Sequence, residues 1–365
     1  MNASLRRHPM LRWAAPGAAL ALVVAGSQVA AHWPADAATS LPPRTAAQLL
    51  TDLQRAQPVA LSGTVTATMA LGLPQLPEGM AGGDPTSPLQ LLSGSHTAKV
   101  WYDGKVSSRI AVLGDSAETD LVTNARGLWL WKSADQSVLH LAAPRGSALT
   151  QPAPATGASL PAQLSSPSGV SQWILQLLDP TTKVTTTSND RVAGRAAYEL
   201  VLTPRTAGTK IGSVRIAVDA RHHIPLRAEV FARGADKPAI NVGFTSLRFH
   251  TPPASRFDFT PPPGAKVTTP KSQMRGAPAH QGPNISAPRV VGSAWSSVLV
   301  GQVALKPTAN RADSLQAALR LLPKVSGSWG SGHLLDTALF SAVLTDDGHF
   351  AVGAVQPSKL YAALG

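Results

Sequence analysis

The residues best suited by type to chemistry are histidines and carboxylates that lie close together in the sequence. His222 and His223 follow Asp219, and these three side chains are of the types that bind a metal ion. No further ligand lies at a usable spacing, and a position between two predicted strands is typical of a hairpin tip. Three acids in 115–120 lie in a predicted turn, where carboxylates are ordinarily solvated. We therefore predict no metal site.

Two Ser/Gly-rich stretches, 94–97 and 326–333, contain His96 and His333 and raise the question of a serine nucleophile. Neither matches the G-x-S-x-G elbow, which needs a strand, a strained turn and a helix around the serine. The chain has no cysteine, which excludes disulfides, a thiolate nucleophile, cysteine metal sites and a lipidated N-terminal cysteine. No glycine loop of the phosphate-binding type is present. We predict no catalytic residues, no cofactor and a function that is not enzymatic.

The net charge of +12 does not form a nucleic-acid footprint. Its densest part is 266–290, which holds four basic residues and no acid within a Pro/Gly-rich stretch. A nucleic-acid-binding protein would show a basic helix or an aromatic platform with interleaved Lys and Arg, and no such segment occurs. We exclude nucleic acid as a partner and expect at most a loose attraction to an anionic membrane surface.

The N-terminus has the organisation of an export signal. Arg6, Arg7 and Arg12 precede an uncharged run over 13–31, and Ala35-Asp36-Ala37 then offers small residues for cleavage. A cleaved signal peptide over 1–38 is our first interpretation, and an uncleaved membrane anchor is the alternative. Either way we expect an extracytoplasmic protein, secreted or tethered to the cytoplasmic membrane.

The spacing of apolar residues predicts a mainly β protein with few helices. Thr45 to Gln57 has helical spacing with Thr45 as N-cap, and 170–178 has the pattern of a second short helix. Alternating strands fill 61–141 and 183–249, with an Asp103-Gly104 turn in one hairpin. We predict a one-sided antiparallel sheet over 39–265, a linker over 266–290 and a small α+β domain over 291–365.

A large sheet covered by only two short helices predicts an incompletely filled apolar cavity, which would suit an acyl chain. Trp129 and Trp131 share one face by the period of two, and ordinary core packing is the alternative for both. The candidate lining residues come from both helices and from the strands: Leu49, Leu53, Val100, Trp129, Trp131, Trp173, Leu177, Leu200, Ile216, Val230 and Phe244.

Several motifs in 179–267 carry a resemblance to a known family. They are DPTTKV at 179–184, VAGRAAYELVLTPR at 192–205, VRIAVDARHHIPLRAEVF at 214–231, VGFTSLRF at 242–249 and FDFTPPPGAKV at 257–267. This segment resembles the C-terminal half of the LolA-like lipoprotein carriers of bacterial envelopes, and 40–178 agrees more loosely. The resemblance implies a curved antiparallel half-barrel sheet around an apolar cavity with helical lids. It also implies a protein that binds lipid or an acylated lipoprotein and is not an enzyme. We expect a monomer.

The tail supports a second hypothesis. The residues LTDDGHFAV at 344–352 are similar to the closing strand, turn and strand of RseB-like regulators, in which a LolA-like domain precedes a small second domain. That resemblance implies an extracytoplasmic regulator bound to a membrane-anchored anti-sigma partner. Bound lipid would indicate a carrier, and tight binding of a membrane protein would indicate a regulator.

Overall fold

A computed structural model describes residues 41–73, 88–114, 116–143, 181–269, 285–303 and 319–365. The described chain is mainly β and forms two sheets, one of twelve strands and one of six. The prediction of a mainly β protein is therefore confirmed. The predicted export signal and the helix predicted over 170–178 lie outside the described residues.

The first helix, α1, spans Ala46–Arg55 and begins where the sequence predicts. Thr45 caps it, since the hydroxyl accepts from the backbone N–H of Gln48 and the Gln48 side chain accepts from the N–H of Thr45. Leu49 and Leu53 lie four residues apart on one face and are 0% and 2% exposed. α1 is therefore fixed by its cap and by two buried leucines.

The large sheet consists of two antiparallel meanders. The first comprises β1 to β6 and the second β7 to β11, and a pairing of β1 with β11 joins them. A four-residue helix, α2 (Pro88–Leu91), precedes β2. The strands are β1 (Leu61–Met69), β2 (Gly94–Tyr102), β3 (Ser108–Leu113), β4 (Glu118–Asn124), β5 (Gly127–Lys132), β6 (Ser137–Ala142), β7 (Thr182–Val192), β8 (Arg195–Pro204), β9 (Ile211–Asp219), β10 (Pro225–Ala232) and β11 (Pro238–Arg248).

One pairing departs from the antiparallel prediction. β12 (Lys266–Thr268) joins the far edge of the sheet by pairing with β6 in parallel. The chain reaches that edge through residues 249–265, which include a 3-10 turn at Ala254–Arg256. The sheet is therefore mixed, and its order is β12-β6-β5-β4-β3-β2-β1-β11-β10-β9-β8-β7.

The hairpin turns follow from local chemistry. In the β2–β3 turn, Asp103 accepts the backbone N–H groups of Lys105 and Ser107, and Gly104 adopts a φ of 81°. A side chain at Gly104 would also press on the backbone of Ala60. Asp-Gly is thus required here both for conformation and for space.

In the residues that the structure describes, the C-terminal unit is a six-stranded sheet against which a helix packs. Its order is β13-β14-β18-β17-β16-β15, and α3 (Pro357–Leu364) packs against it through Leu360. The strands are β13 (Ile285–Val291), β14 (Val298–Val303), β15 (Lys324–Gly327), β16 (Gly330–Asp336), β17 (Ser341–Thr345) and β18 (His349–Gly353). A 3-10 turn at Ala294–Ser296 separates β13 from β14. β12 and β13 both overlap the stretch that the sequence predicts as a linker.

The two sheets share buried contacts. Leu339 and Ala354 of the C-terminal unit belong to the same apolar cluster as α1 and the large sheet. Thr209 donates its hydroxyl to the carbonyl of Ala354 at 2.8 Å, and Trp295 donates its indole N–H to Thr182 at 2.7 Å. The C-terminal unit is therefore fixed at the end of the large sheet where β9 begins.

A buried lysine lies in this contact. Lys210 is 8% exposed, and its ammonium group donates to the carboxylate of Asp336 and to the carbonyl of Thr337. A buried ammonium group needs such partners because burial without them is costly. Lys210 therefore fits the interface only while Asp336 and Thr337 lie opposite it.

We predict that Lys210→Ala lowers the free energy of unfolding by about 1–3 kcal/mol, because the Thr337 carbonyl loses its donor inside the interface. Urea unfolding followed by circular dichroism measures the change. Lys183→Ala, at an exposed position of β7, is the control and should change stability by less than about 0.5 kcal/mol. Equal effects of the two substitutions would contradict a docking role for Lys210.

Candidate functional site

The large sheet has two chemically different faces. We call the face that carries Val65, Leu200 and Ile216 the inner face, because these residues form one cluster with α1. Successive residues of a strand point to opposite faces of the sheet. Residues that pair across neighbouring strands share a face, so the pairs show which residues of each strand lie on the inner face. Lys99, Arg109 and their cross-strand neighbours lie on the other side, which we call the outer face.

Most of the predicted cavity residues are core. The space between α1 and β7–β11 is filled by side chains that are 0–8% exposed: Leu49, Leu53, Leu200, Ile216 and Val230. Val100 and Phe244 lie at the margin of the same cluster and are half-buried. Trp173 and Leu177 lie outside the described residues. The structure thus brings seven predicted residues together on the inner face, but in close packing.

The structure separates Trp129 and Trp131 from that group. They share a face with each other, and their cross-strand neighbours Val122 and Asp120 place that face on the outside of the sheet. Trp129 stacks on His140 with ring centres 3.6 Å apart and contacts Phe259 at 5.5 Å. One cavity cannot be lined by these two tryptophans and by Leu200, because the sheet lies between them.

The outer tryptophans contact a segment that sequence reasoning missed. We call residues 250–265, which cross the outer face from β11 to β12, the strap. Asn124 donates its side-chain N–H to the carbonyl of Phe257 at 2.8 Å, and Phe257 is 6% exposed. The guanidinium of Arg256 lies 5.4 Å from the ring centre of Trp101. The aromatic residues of the outer face therefore hold the strap, and the FDF of 257–259 was the signal that could have indicated it.

Among the described residues, the inner face of β3–β6 carries apolar side chains that are less buried than those beneath α1. Its aliphatic side chains lie opposite one another across the four strands, as in the row Ile110, Leu121, Leu130 and Leu139. All are half-buried, in contrast to the core beneath α1. We call this surface the aliphatic stripe, and it comprises Ile110, Leu121, Leu128, Leu130, Leu139 and Leu141. It is the part of the inner face that is chemically able to receive an apolar ligand.

The histidine pair occupies a structural turn. The buried carboxylate of Asp219 accepts the backbone N–H groups of Arg221 and His222 and is paired with Arg195. The rings of His222 and Phe249 contact each other at a tilt, with centres 3.9 Å apart, and burial lowers the pKa of His222. The prediction of a hairpin tip agrees with this geometry, and the part of the chain that the structure describes holds no group of three metal-ligating side chains.

Asp120 and His333 also have structural partners, whereas among the described residues the buried Nε2 of His96 has no hydrogen-bond partner. Asp120 accepts from the Arg109 guanidinium at 2.5 and 3.2 Å, and burial followed by the nearby Asp120 charge raises the pKa of Glu118. The ring of His333 contacts the carbonyl of Leu322 at 3.3 Å. His96 lies on the inner face opposite Ala67. The side chains of His96 and His333 make no contact with a serine hydroxyl that the described residues show.

Solved structures extend the comparison to known proteins. A complex of Pseudomonas aeruginosa MucA/MucB has 17% sequence identity and a TM-score of 0.43, covering 87% of this chain and 96% of that chain. A structure of MucB in complex with MucA(peri) has 15% identity and a TM-score of 0.44, covering 87% and 97%. The chain is similar in structure to MucB. A LolA superfamily protein from Nitrosomonas europaea has 12% identity and a TM-score of 0.25, covering 60% and 99%.

These similarities concern the fold. The resemblance to LolA-like and RseB-like proteins that the motifs carry is confirmed as a structural similarity at low identity. Comparison of the sequence with family models and with curated proteins gives no match. Within the described ranges, no helix is long and apolar enough to cross a membrane.

We predict that Leu53→Ala lowers the free energy of unfolding by about 2–5 kcal/mol, because it removes a fully packed side chain beneath α1. Leu130→Ala, in the half-buried aliphatic stripe, should cost about half as much or less. Urea unfolding of both variants measures the difference. If Leu53→Ala costs no more than Leu130→Ala, the space beneath α1 is a cavity and not core.

Asp219 supplies a prediction about pH. Burial raises its pKa, but hydrogen bonds from Arg195 and from the backbone of His222 and Arg221 outweigh that effect and lower the pKa below 3.8. A carboxylate whose pKa is lowered in the folded protein stabilises the fold at pH values above its ordinary pKa. This stabilisation is lost as the pH falls through the lowered pKa. Asp219→Asn should therefore destabilise the protein at pH 7, and the deficit should shrink at about pH 3. Urea unfolding at both values tests this, and a deficit independent of pH would contradict it.

Proposed function

We propose that this chain is a non-catalytic, extracytoplasmic regulator of the RseB-like kind that binds a segment of a membrane-anchored protein. The observation that carries the proposal is the division of the inner face. The half beneath α1 is filled, and the half on β3–β6 leaves the aliphatic stripe half-buried. A ligand that binds this stripe would need to present an apolar surface of matching width. It would not need to fit an enclosed tunnel.

A protein segment suits this surface. The stripe spans four strands, which lie about 4.8 Å apart, so its width is about that of one helix with its side chains. An amphipathic helix that lays its apolar face on such a surface is a recurring mode of peptide recognition. Leucine and isoleucine supply the apolar contact, and Thr119 and Thr123 of β4 lie on the same face beside it.

The contact between the two sheets also supports a regulator. The C-terminal unit is held to the large sheet by a shared core and by the buried Lys210. This gives one rigid support for a bound partner, because the sheets cannot separate without exposing a lysine and apolar side chains. We further propose that the protein is monomeric, that the large sheet curves around the stripe as a half-barrel, and that 1–38 is an export signal or anchor.

A lipid carrier is the second candidate. The aliphatic stripe holds no charged side chain, and hydrocarbon is as suitable for it as an apolar protein face. The cargo would be a lipid or the acyl chains of a lipoprotein, held without a covalent bond. The filled space beneath α1 makes this the weaker candidate, since small-molecule sites usually bury most of the ligand surface.

The test is recovery of bound material from cells that export the protein. We expect that a single membrane-anchored protein crosslinks to the native chain and that Leu130→Asp lowers its recovery at least about tenfold, since a charge in an apolar contact is strongly unfavourable. Thr187→Asp, at an exposed position of β7, is the matched control and should recover as much as the native chain. Leu139→Gln provides a milder second variant if Leu130→Asp unfolds.

Organic extraction of the same samples distinguishes the two candidates. Acyl lipid present in the native chain and lost in Leu130→Asp, without a protein partner, would replace the regulator with the carrier. If the stripe variants recover as much protein partner and as much lipid as the native chain, both the regulator and the carrier are contradicted.

A further inference from the structure

One end of the large sheet collects exposed cations. The cross-strand registers place five turns at the same end, namely those before β1, between β2 and β3, between β4 and β5, between β7 and β8, and between β9 and β10. The end of β11 lies there too, because Arg248 pairs with Ser62. Arg126 of the β4–β5 turn is exposed at this end but pairs with Asp258. We call the other exposed cations there the basic rim: Lys105, Arg191, Arg221, Arg248 and Arg256.

The charge of the rim is not cancelled locally. None of its five side chains makes an ion pair with a described residue. Three carboxylates at the same end are paired with other arginines: Asp219 with Arg195, Asp190 with Arg227 and Asp258 with Arg126. Asp103 accepts the backbone N–H groups of its own turn and keeps its charge, so one negative charge stands against the five cations. The rim therefore presents a net positive field to solvent.

Ring contacts show that the central part of the rim is continuous. Phe249 follows Arg248 and contacts the ring of His222 at 3.9 Å, next to Arg221. On the other side, Arg248 pairs with Ser62, and Ser62 pairs with Trp101, over which Arg256 lies at 5.4 Å. Cations from β9–β10, β11 and the strap thus lie side by side.

An exposed apolar side chain lies beside these charges. Val106, next to Lys105 at the tip of the β2–β3 hairpin, is 46% exposed. Cations surrounding a protruding aliphatic group are the combination that suits a membrane interface, where the charges meet headgroups and the apolar group enters below them. The opposite end also carries exposed cations, Lys183, Arg205 and Lys237, but the exposed acids Asp135 and Asp236 lie there as well and the C-terminal unit covers part of it.

We propose that the basic rim docks the protein on the surface of an anionic lipid bilayer, with Val106 entering the headgroup region. The partner is the layer of acidic lipid headgroups, because the rim combines unpaired cations with an apolar tip. Docking would hold the stripe at a fixed height above the membrane. This proposal concerns a different surface from the stripe and does not depend on the identity of the stripe's ligand.

The first test is sedimentation of the exported full chain with vesicles of phosphatidylglycerol and phosphatidylcholine in equal parts, compared with pure phosphatidylcholine. We expect binding to the anionic vesicles only, weakening as salt rises, because exposed charges are screened within about 10 Å at 0.1 M. Equal binding to both vesicles, or no binding to anionic vesicles at low salt, would overturn the proposal.

The second test separates the rim from net charge. The triple variant Lys105→Gln, Arg248→Gln, Arg256→Gln should lower the vesicle partition coefficient at least about tenfold. The control triple Lys183→Gln, Arg205→Gln, Lys237→Gln removes the same charge from exposed positions at the opposite end and should change it less than about twofold. Equal losses in the two triples would show attraction by net charge alone and overturn docking by the rim.

The third test reports orientation. Because the chain has no cysteine, Val106→Cys provides a single site for an environment-sensitive dye. Ala235→Cys, exposed at the opposite end, is the matched control. With anionic vesicles, we expect the emission of the dye at position 106 to shift to shorter wavelength and the emission of the dye at position 235 to stay unchanged. No shift at 106, or equal shifts at both positions, would overturn the proposed orientation.

Discussion

The antiparallel pairing of β1 with β11 is the contact on which the rest of the structure depends. It joins two meanders whose paired residues are up to 186 positions apart, as in Ser62 with Arg248. Gly63 permits the approach, because a side chain there would collide with the Ser246 carbonyl and the Phe244 ring. The register shift between Thr64 and Val65 lies beside it. Without this pairing, α1 would have half a core to cover and the strap would not reach the outer face.

The parts of the fold that the sequence predicts are those that local chemistry decides. The Thr45 capping box marks the start of α1, and Asp103-Gly104 fixes a hairpin through its own side chain and its positive φ. The core face of β8 and β9 follows from alternation, since the larger apolar side chains share one face and the other face carries Glu199, Thr203 and Arg215. These features involve residues within a few positions of each other, so the local sequence is enough to predict them.

The candidate site was harder to predict because both faces of β5 are apolar. Its residues 127–132 read GLWLWK, so leucines and tryptophans alternate, and the period of two groups them without showing which pair faces α1. The strap determines which pair lies on which face, since Phe257 and Phe259 give the tryptophans a partner on the outer face. A segment that lies 130 residues away in the chain thus determines that Leu128 and Leu130 are left for the inner face. Likewise, nothing local to Lys210 indicates that Asp336 will lie opposite it.

The distribution of charge illustrates the same dependence on topology. Along the sequence the basic excess is diffuse, and this argues against a localised anionic partner. An antiparallel meander, however, places successive turns alternately at two ends of the sheet, so cations that recur in every second turn gather at one end. Lys105, Arg221 and Arg248 are far apart in the chain and close to one end of the sheet for this reason. Spacing along the sequence is therefore a poor guide to surface charge in such a fold, and the register of its strands is the better one.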